Sequence, residues 1–568
     1  MRSRGAARVV AVALALLLLG TLGACSAIPL TGPVGTLQPR ATPQDDEASP
    51  IDAIGPSDGD APADIVSGFL AAGADSANDY AVARSYLTPT LAQDWDATTG
   101  TSVIDQGADV AAAVGETKLR ATLHVVRRVD PQGERVDLDE PVTVRQSFGV
   151  QRVDGEWRIS QAPDGIVVEE SKFSQIFTPV TLYFYADTSW STAVPDVRWF
   201  ARRKGRPTTV VSALLAGPSS YLQGVVSSAF PSGAKLQRGS VPVDQGTATV
   251  DLPEAVVSGL SDQDRQRMVQ QLTLSLRDVG TVSSVRLSMD GTDLDVGSQG
   301  STLPEPALSS QVDETMVGVR DGVVVSGPAD ALAPVKGAKG LGASPRSPAL
   351  APSGDAVVAL SADGSELRAA SGGNTAVTLL RGTGLLAPSF DPRSWVWTGR
   401  SVQGAPLQAV RAGGGDTVSL DEPWLRGLTL TSVRASLDGT RLAITAREGQ
   451  RELLLVTGIR RDEDGKPLGL TTPLRLRNAA GATRVLWAAG DTLVMYRVSV
   501  KDLLSIDEVG LDGRSTAWRQ KLRGINQLAV ATGADKPVYA QTADGLYTRT
   551  GTAWQRSDLD AAWLSYRG

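Results

Sequence analysis

The chain has 568 residues, 42% of them hydrophobic, with one cysteine, one histidine and a formal net charge of −7. A single cysteine excludes an internal disulfide, a single histidine excludes a multi-histidine zinc site, and the acidic balance argues against a surface that wraps nucleic acid or spreads over anionic lipid. Domains run to ~100–200 residues, so the length predicts three or four units.

Arg2, Arg4 and Arg8 precede an apolar run from Val9 to Leu22. That run is about 14 residues long, against the ~20 that a spanning helix needs, and reads as an export signal rather than an anchor. Leu22-Gly23-Ala24-Cys25 closes it and resembles the bacterial lipobox. The resemblance implies cleavage after Ala24 and lipid attachment at Cys25, as an S-diacylglycerol and an N-palmitoyl group; the alternative is an ordinary signal with an incidental cysteine. Two acyl signals suffice for stable anchoring. Residues 1–24 are therefore expected to be a lipoprotein signal peptide. Residues 25–62, rich in Pro, Gly, Ser and acids without apolar periodicity, are expected to be a disordered tether.

From 63 to 170 the pattern becomes α+β. Ile65, Phe69 and Leu70 share one helical face; Tyr80, Val82, Ala83, Tyr86 and Leu87 share another, which Thr88-Pro89 ends. Strands are predicted at Thr122–Val126, Val142–Phe148 and Trp157–Ile159, the last after the turn Val153-Asp154-Gly155. The order resembles an NTF2-type cone, a fold that can hold a ligand; a closed core or docking surface is the other reading. His124 lies in the first strand, where a histidine without a signature partner reads as structural, with general-base work as the alternative.

Residues 179–297 begin with a strand at Thr181–Tyr185. A helix from Thr208 follows, stopped by Gly217-Pro218, then an alternating strand at Thr247–Leu252. Ser261 and Asp264 are spaced as a capping box, ahead of an apolar stripe of Met268, Val269, Leu272 and Leu276, and a last strand runs from Val282 to Met289. These strings resemble the GerMN module of bacterial envelope proteins, a small α/β fold without established catalytic residues. Arg202, Arg203, Lys204 and Arg206, beside Trp199, read as a solvated loop or a patch for an acidic partner.

Beyond a linker at 298–306, short strands separated by Gly, Asp and Ser take over. A strand–turn–strand unit recurs at Ser347–Leu360, Leu386–Trp397, Ser432–Ile444, Thr483–Val494 and Gln527–Ala540, with a further candidate around Val317–Val325. The spacing of about 40–50 residues is that of a four-stranded propeller blade, so 307–568 is expected to be an all-β propeller of five or six blades. Seven tryptophans from Trp395 to Trp563 fall here; those within strands read as blade core, and exposed ones would stack on sugars or partners.

No G-x-S-x-G elbow, P-loop or Cys/His metal set is present, and Asp262 and Asp264 are explained by capping, so no catalytic, metal or cofactor residue is expected. Signal, tether, α+β domain, GerMN module and propeller, in that order, resemble the actinobacterial LpqB lipoprotein family. Membership implies a non-enzymatic, lipid-anchored protein on the extracytoplasmic face of the cell membrane. The implied partner is the extracellular domain of a membrane sensor histidine kinase of the MtrB type, in the MtrA–MtrB system controlling cell-wall homeostasis and division. The alternative is a cell-wall carbohydrate-binding or hydrolytic lipoprotein acting through the propeller. A third reading, a transport accessory, would hold a small molecule in the N-terminal cone.

Overall fold

The computed structural model describes residues 53–112, 117–296, 303–308, 314–372, 375–478, 481–499, 502–531 and 537–567, all within one compact unit. Cys25, the signal and residues 25–52 of the expected tether lie outside them. Residues 53–61, expected as tether, are fixed to the N-terminal module instead. Tyr86 Oη donates to the Ile54 carbonyl at 2.8 Å, and the Gly59 amide donates to Glu156 Oε2 at 2.9 Å.

Three helices, Pro62–Ala72, Ala81–Ser85 and Pro89–Asp94, open the module. Thr88-Pro89 ends one helical face as expected and also starts the next helix. Thr88 Oγ1 accepts from the Leu91 amide, and Pro89 sits at the first helical position, where its missing N–H costs nothing. A sheet follows in the order Glu156–Gln161, Arg135–Val153, Lys118–Val129, Thr101–Ile104, Ile166–Glu169. The three expected strands all lie in it. The last pair runs parallel, an addition set by non-local pairing. Ile65, Phe69, Trp95, Leu123, Phe148 and Ile159 fill the core between helices and sheet.

The middle module pairs Phe177–Tyr185 with Ala193–Ala201 and adds a sheet whose central strands, Thr247–Leu252 and Ser284–Met289, run parallel. Helix Asp262–Leu276 carries both halves of the capping box on Ser261 and Asp264. Met268, Leu272 and Leu276 are buried as the stripe requires. Gln271 and Ser275 share that face because each bonds the strand backbone. Gln271 Nε2 donates to the Tyr183 carbonyl at 2.8 Å, and Ser275 Oγ accepts from the Tyr183 amide at 3.0 Å.

Among the described residues the C-terminal half forms six blade-like sheets. Blades 2 to 6 start at Arg346–Leu350, Ser389–Phe390, Thr429–Ala435, Arg484–Ala489 and Ile525–Val530, and each recurring unit supplies a blade's first two strands. Blade 1 is built from both ends of the half. Met316–Arg320 and Val323–Gly327 pair with each other, and Ala562–Tyr566 adds to the first of them. The starting strands touch in sequence around the ring, with Ala562–Tyr566 against both Arg346–Leu350 and Ile525–Val530, so the ring closes. Trp395 and Trp397 are fully buried blade core.

Candidate functional site: the propeller channel

The starting strands encircle two adjoining cavities of about 420 and 250 Å³. Pro388, Arg434, Leu486, Leu528 and Ser565 line both, which makes them two widenings of one axial channel. The wider one also takes Arg346 from blade 2, Arg484 and Tyr496 from blade 5, Asn526 from blade 6 and Trp563 from the closing strand.

Arg434 and Arg484 are held by backbone. Arg434 Nη1 donates to the carbonyls of Val433 and Ala387, each at 3.0 Å, and Arg484 Nη1 donates to those of Thr431 and Thr483, each at 2.9 Å. A guanidinium has five N–H donors, so most of each fork remains for the channel. Arg346 Nε is buried without a hydrogen-bond partner, as is Asn526 Oδ1. Among the described residues no carboxylate pairs with these three arginines. Asp363 lines the same widening, but its oxygens accept from Ser361 Oγ, from the Ser365 amide at 3.1 Å and from Ser365 Oγ at 2.7 Å. Burial pushes the Arg434 guanidinium down to about 10; Tyr496 opposes that shift and Arg484 adds to it. The Tyr496 hydroxyl is raised by its burial and accepts from the Leu528 amide at 3.3 Å. The channel thus gathers positive charge and free donors in a partly desolvated space, with Pro348, Leu486 and Leu528 as apolar wall.

Sequence reasoning did not single out these arginines. The signal lay in the repeat. The turns of blades 2, 3 and 4 are closed by equivalent hydrogen bonds, from Gly354 to Ala351, Ser394 to Asp391 and Gly439 to Ser436. Two residues before each accepting carbonyl stand Ala349, Ser389 and Arg434. That position is a small residue in blades 2 and 3 and an arginine in blade 4.

The other candidates separate. The N-terminal module does hold a cavity, about 280 Å³, lined by Phe69, Trp95, Phe148, Arg128 and Gln146 among others. His124 is half-buried, sits opposite Thr143 in the sheet and does not line that cavity. The basic cluster is not one exposed patch. Arg206 is buried, and Trp199 is turned inward, its Nε1 donating to the Asp512 carbonyl at 3.1 Å. Among the described residues no group of three metal-ligating side chains occurs, and no helix is long and apolar enough to cross a membrane.

Fold and channel define a three-module β-propeller protein with a cavity on the propeller axis. Family models described as "Lipoprotein LpqB, N-terminal domain", "Sporulation and spore germination" and "Lipoprotein LpqB beta-propeller domain" match residues 55–174, 181–295 and 322–562. A protein named Lipoprotein LpqB from Streptomyces coelicolor is 27% identical over 97% of each chain, and one of the same name from Nocardia farcinica is 27% identical over 76% of each. Among solved structures, a chain of the nidogen/laminin complex matches 44% of this chain and 96% of its own at 12% identity and a TM-score of 0.33. The chain belongs to the LpqB lipoprotein family.

Proposed function

We propose that this protein is tethered to the extracytoplasmic face of the cell membrane through a lipidated Cys25, and that its folded body binds the extracellular domain of an MtrB-like sensor histidine kinase. In doing so it modulates the MtrA–MtrB two-component system that governs cell-wall homeostasis and division. The observation that carries the reading is the match in module order along nearly the whole chain to relatives named as lipoproteins. The signal-like stretch ending at Cys25 supports the anchor.

Two measurements test it. Cys25→Ala is expected to abolish metabolic lipid labelling and to release the protein from the membrane fraction; normal labelling would refute the anchor. Crosslinking in cells, followed by identification of the captured partner, is expected to recover the kinase. Its absence, together with unchanged kinase output on loss of the protein, would refute the partner. Carbohydrate stacking through the propeller has less support, because Trp395 and Trp397 are consumed by the blade core.

A further inference from the structure

We propose that the propeller channel is a binding site for a small organic phosphate, held by Arg346, Arg434 and Arg484. The proposal stands independently of the kinase partner. Three guanidinium groups from blades 2, 4 and 5 converge on one cavity without a pairing carboxylate among the described residues. The three residues are partly buried, and an unpaired charge partly withdrawn from water is kept at a cost that an anion from solution reduces. Arg434 and Arg484 each bind backbone through Nη1 alone. The position of Arg434 is filled by Ala349 and Ser389 in blades 2 and 3.

The chemistry of the walls narrows the ligand. A phosphate monoester brings close to two negative charges and three acceptor oxygens, which suits several guanidinium forks better than one carboxylate does. Pro348, Leu486, Leu528 and Trp563 line the rest of the space and favour a ligand with an apolar or ring-bearing body. Trp563 holds φ 54, a conformation bulky residues seldom adopt, and it holds it at the channel wall. The volume of about 420 Å³ lies within the usual range of about 300–1,000 Å³ for small-molecule sites.

The test is calorimetric titration of the full chain, purified in detergent, with phenyl phosphate, benzoate and phenol. Phenyl phosphate is expected to bind saturably at one site and to weaken as salt rises. Benzoate should bind at least about tenfold more weakly and phenol not at all. Arg484→Gln and Arg434→Gln should each weaken phenyl phosphate by about tenfold or more, whereas Arg447→Gln, on an exposed strand end, should leave it within about twofold. If Arg434→Gln does not fold, Arg484→Gln and the salt dependence carry the test. Absence of saturable binding, indifference to Arg484→Gln, or benzoate binding as well as phenyl phosphate would overturn the proposal.

Discussion

Asp137 shows how one buried carboxylate holds a module together. It accepts from Arg127 Nε at 2.5 Å and from Arg135 Nη2 at 2.7 Å, and its side chain is only 14% exposed. Burial raises its pKa, but the hydrogen bonds and charges of Arg135 and Arg127 outweigh that and bring it below the ordinary carboxylate value. A depressed folded-state pKa contributes stability above the unfolded value, near 4, that is lost as pH falls through the folded value. Denaturant unfolding across an acid pH series is therefore expected to show stability dropping below about pH 4. Asp137→Asn should flatten that drop and cost about 3 kcal/mol at neutral pH, because it leaves two buried guanidinium groups undercompensated. An unchanged acid limb would remove Asp137 from the explanation. Arg135 also lies 5.3 Å over the Trp199 ring and donates through Nη1 to the Asp512 carbonyl at 2.6 Å, so the same carboxylate steadies a contact between modules.

Among the elements, the closing strand Ala562–Tyr566 bears most on the ring. Leu564 is 2% exposed and packs with Met316, Val325, Ala529 and Tyr539, which come from blades 1 and 6. Leu564→Ala is expected to cost about 3 kcal/mol and to open the seam between those blades. Limited proteolysis should then cut first near that seam; a cleavage pattern like that of the unaltered chain would show that closure lies elsewhere. The blade hairpins were legible in the sequence because each is local: apolar alternation either side of an Asp/Gly turn, such as the one where Gly439 takes φ 73 and a Cβ would strike Pro392 at 2.9 Å. The closing strand was not legible, since its partner Met316–Arg320 lies more than two hundred residues earlier in the chain. The parallel pairing of Thr101–Ile104 with Ile166–Glu169 was hidden for the same reason. The channel arginines were hidden for another. Arg434 and Arg484 stand in the quoted repeat units, yet alternation alone marks a charged strand residue as solvent-facing, and only ring closure makes that side an interior.

In the folded body as a whole, the modules meet through shared core as well as surface contacts. Tyr221 and Leu222 of the middle module sit in one apolar cluster with Ala443, Leu454, Val456, Val485 and Trp487 of blades 4 and 5. The Tyr221 carbonyl accepts from Thr471 Oγ1 at 2.7 Å. Gly458 is tightly apposed to the middle module: a Cβ there would lie 2.5 Å from the Tyr221 carbonyl oxygen and 2.6 Å from Val225. Gly458→Leu is expected to split the middle module from the propeller while leaving the blades folded. Calorimetry should then resolve two transitions where the unaltered chain is expected to give one, and small-angle scattering should report a larger radius of gyration. A single unshifted transition would mean that the junction tolerates the side chain. Trp487 carries this junction to the channel. It lines the narrower widening, its Nε1 donates to the Arg434 carbonyl at 3.1 Å, and Arg441 lies 5.0 Å over its ring while donating through Nη1 to the Pro195 carbonyl at 3.4 Å. Thermodynamic linkage then makes the two ends of that path answerable to each other. Whatever affinity a channel ligand gains from a tight junction, its binding returns to the junction as resistance to being prised apart.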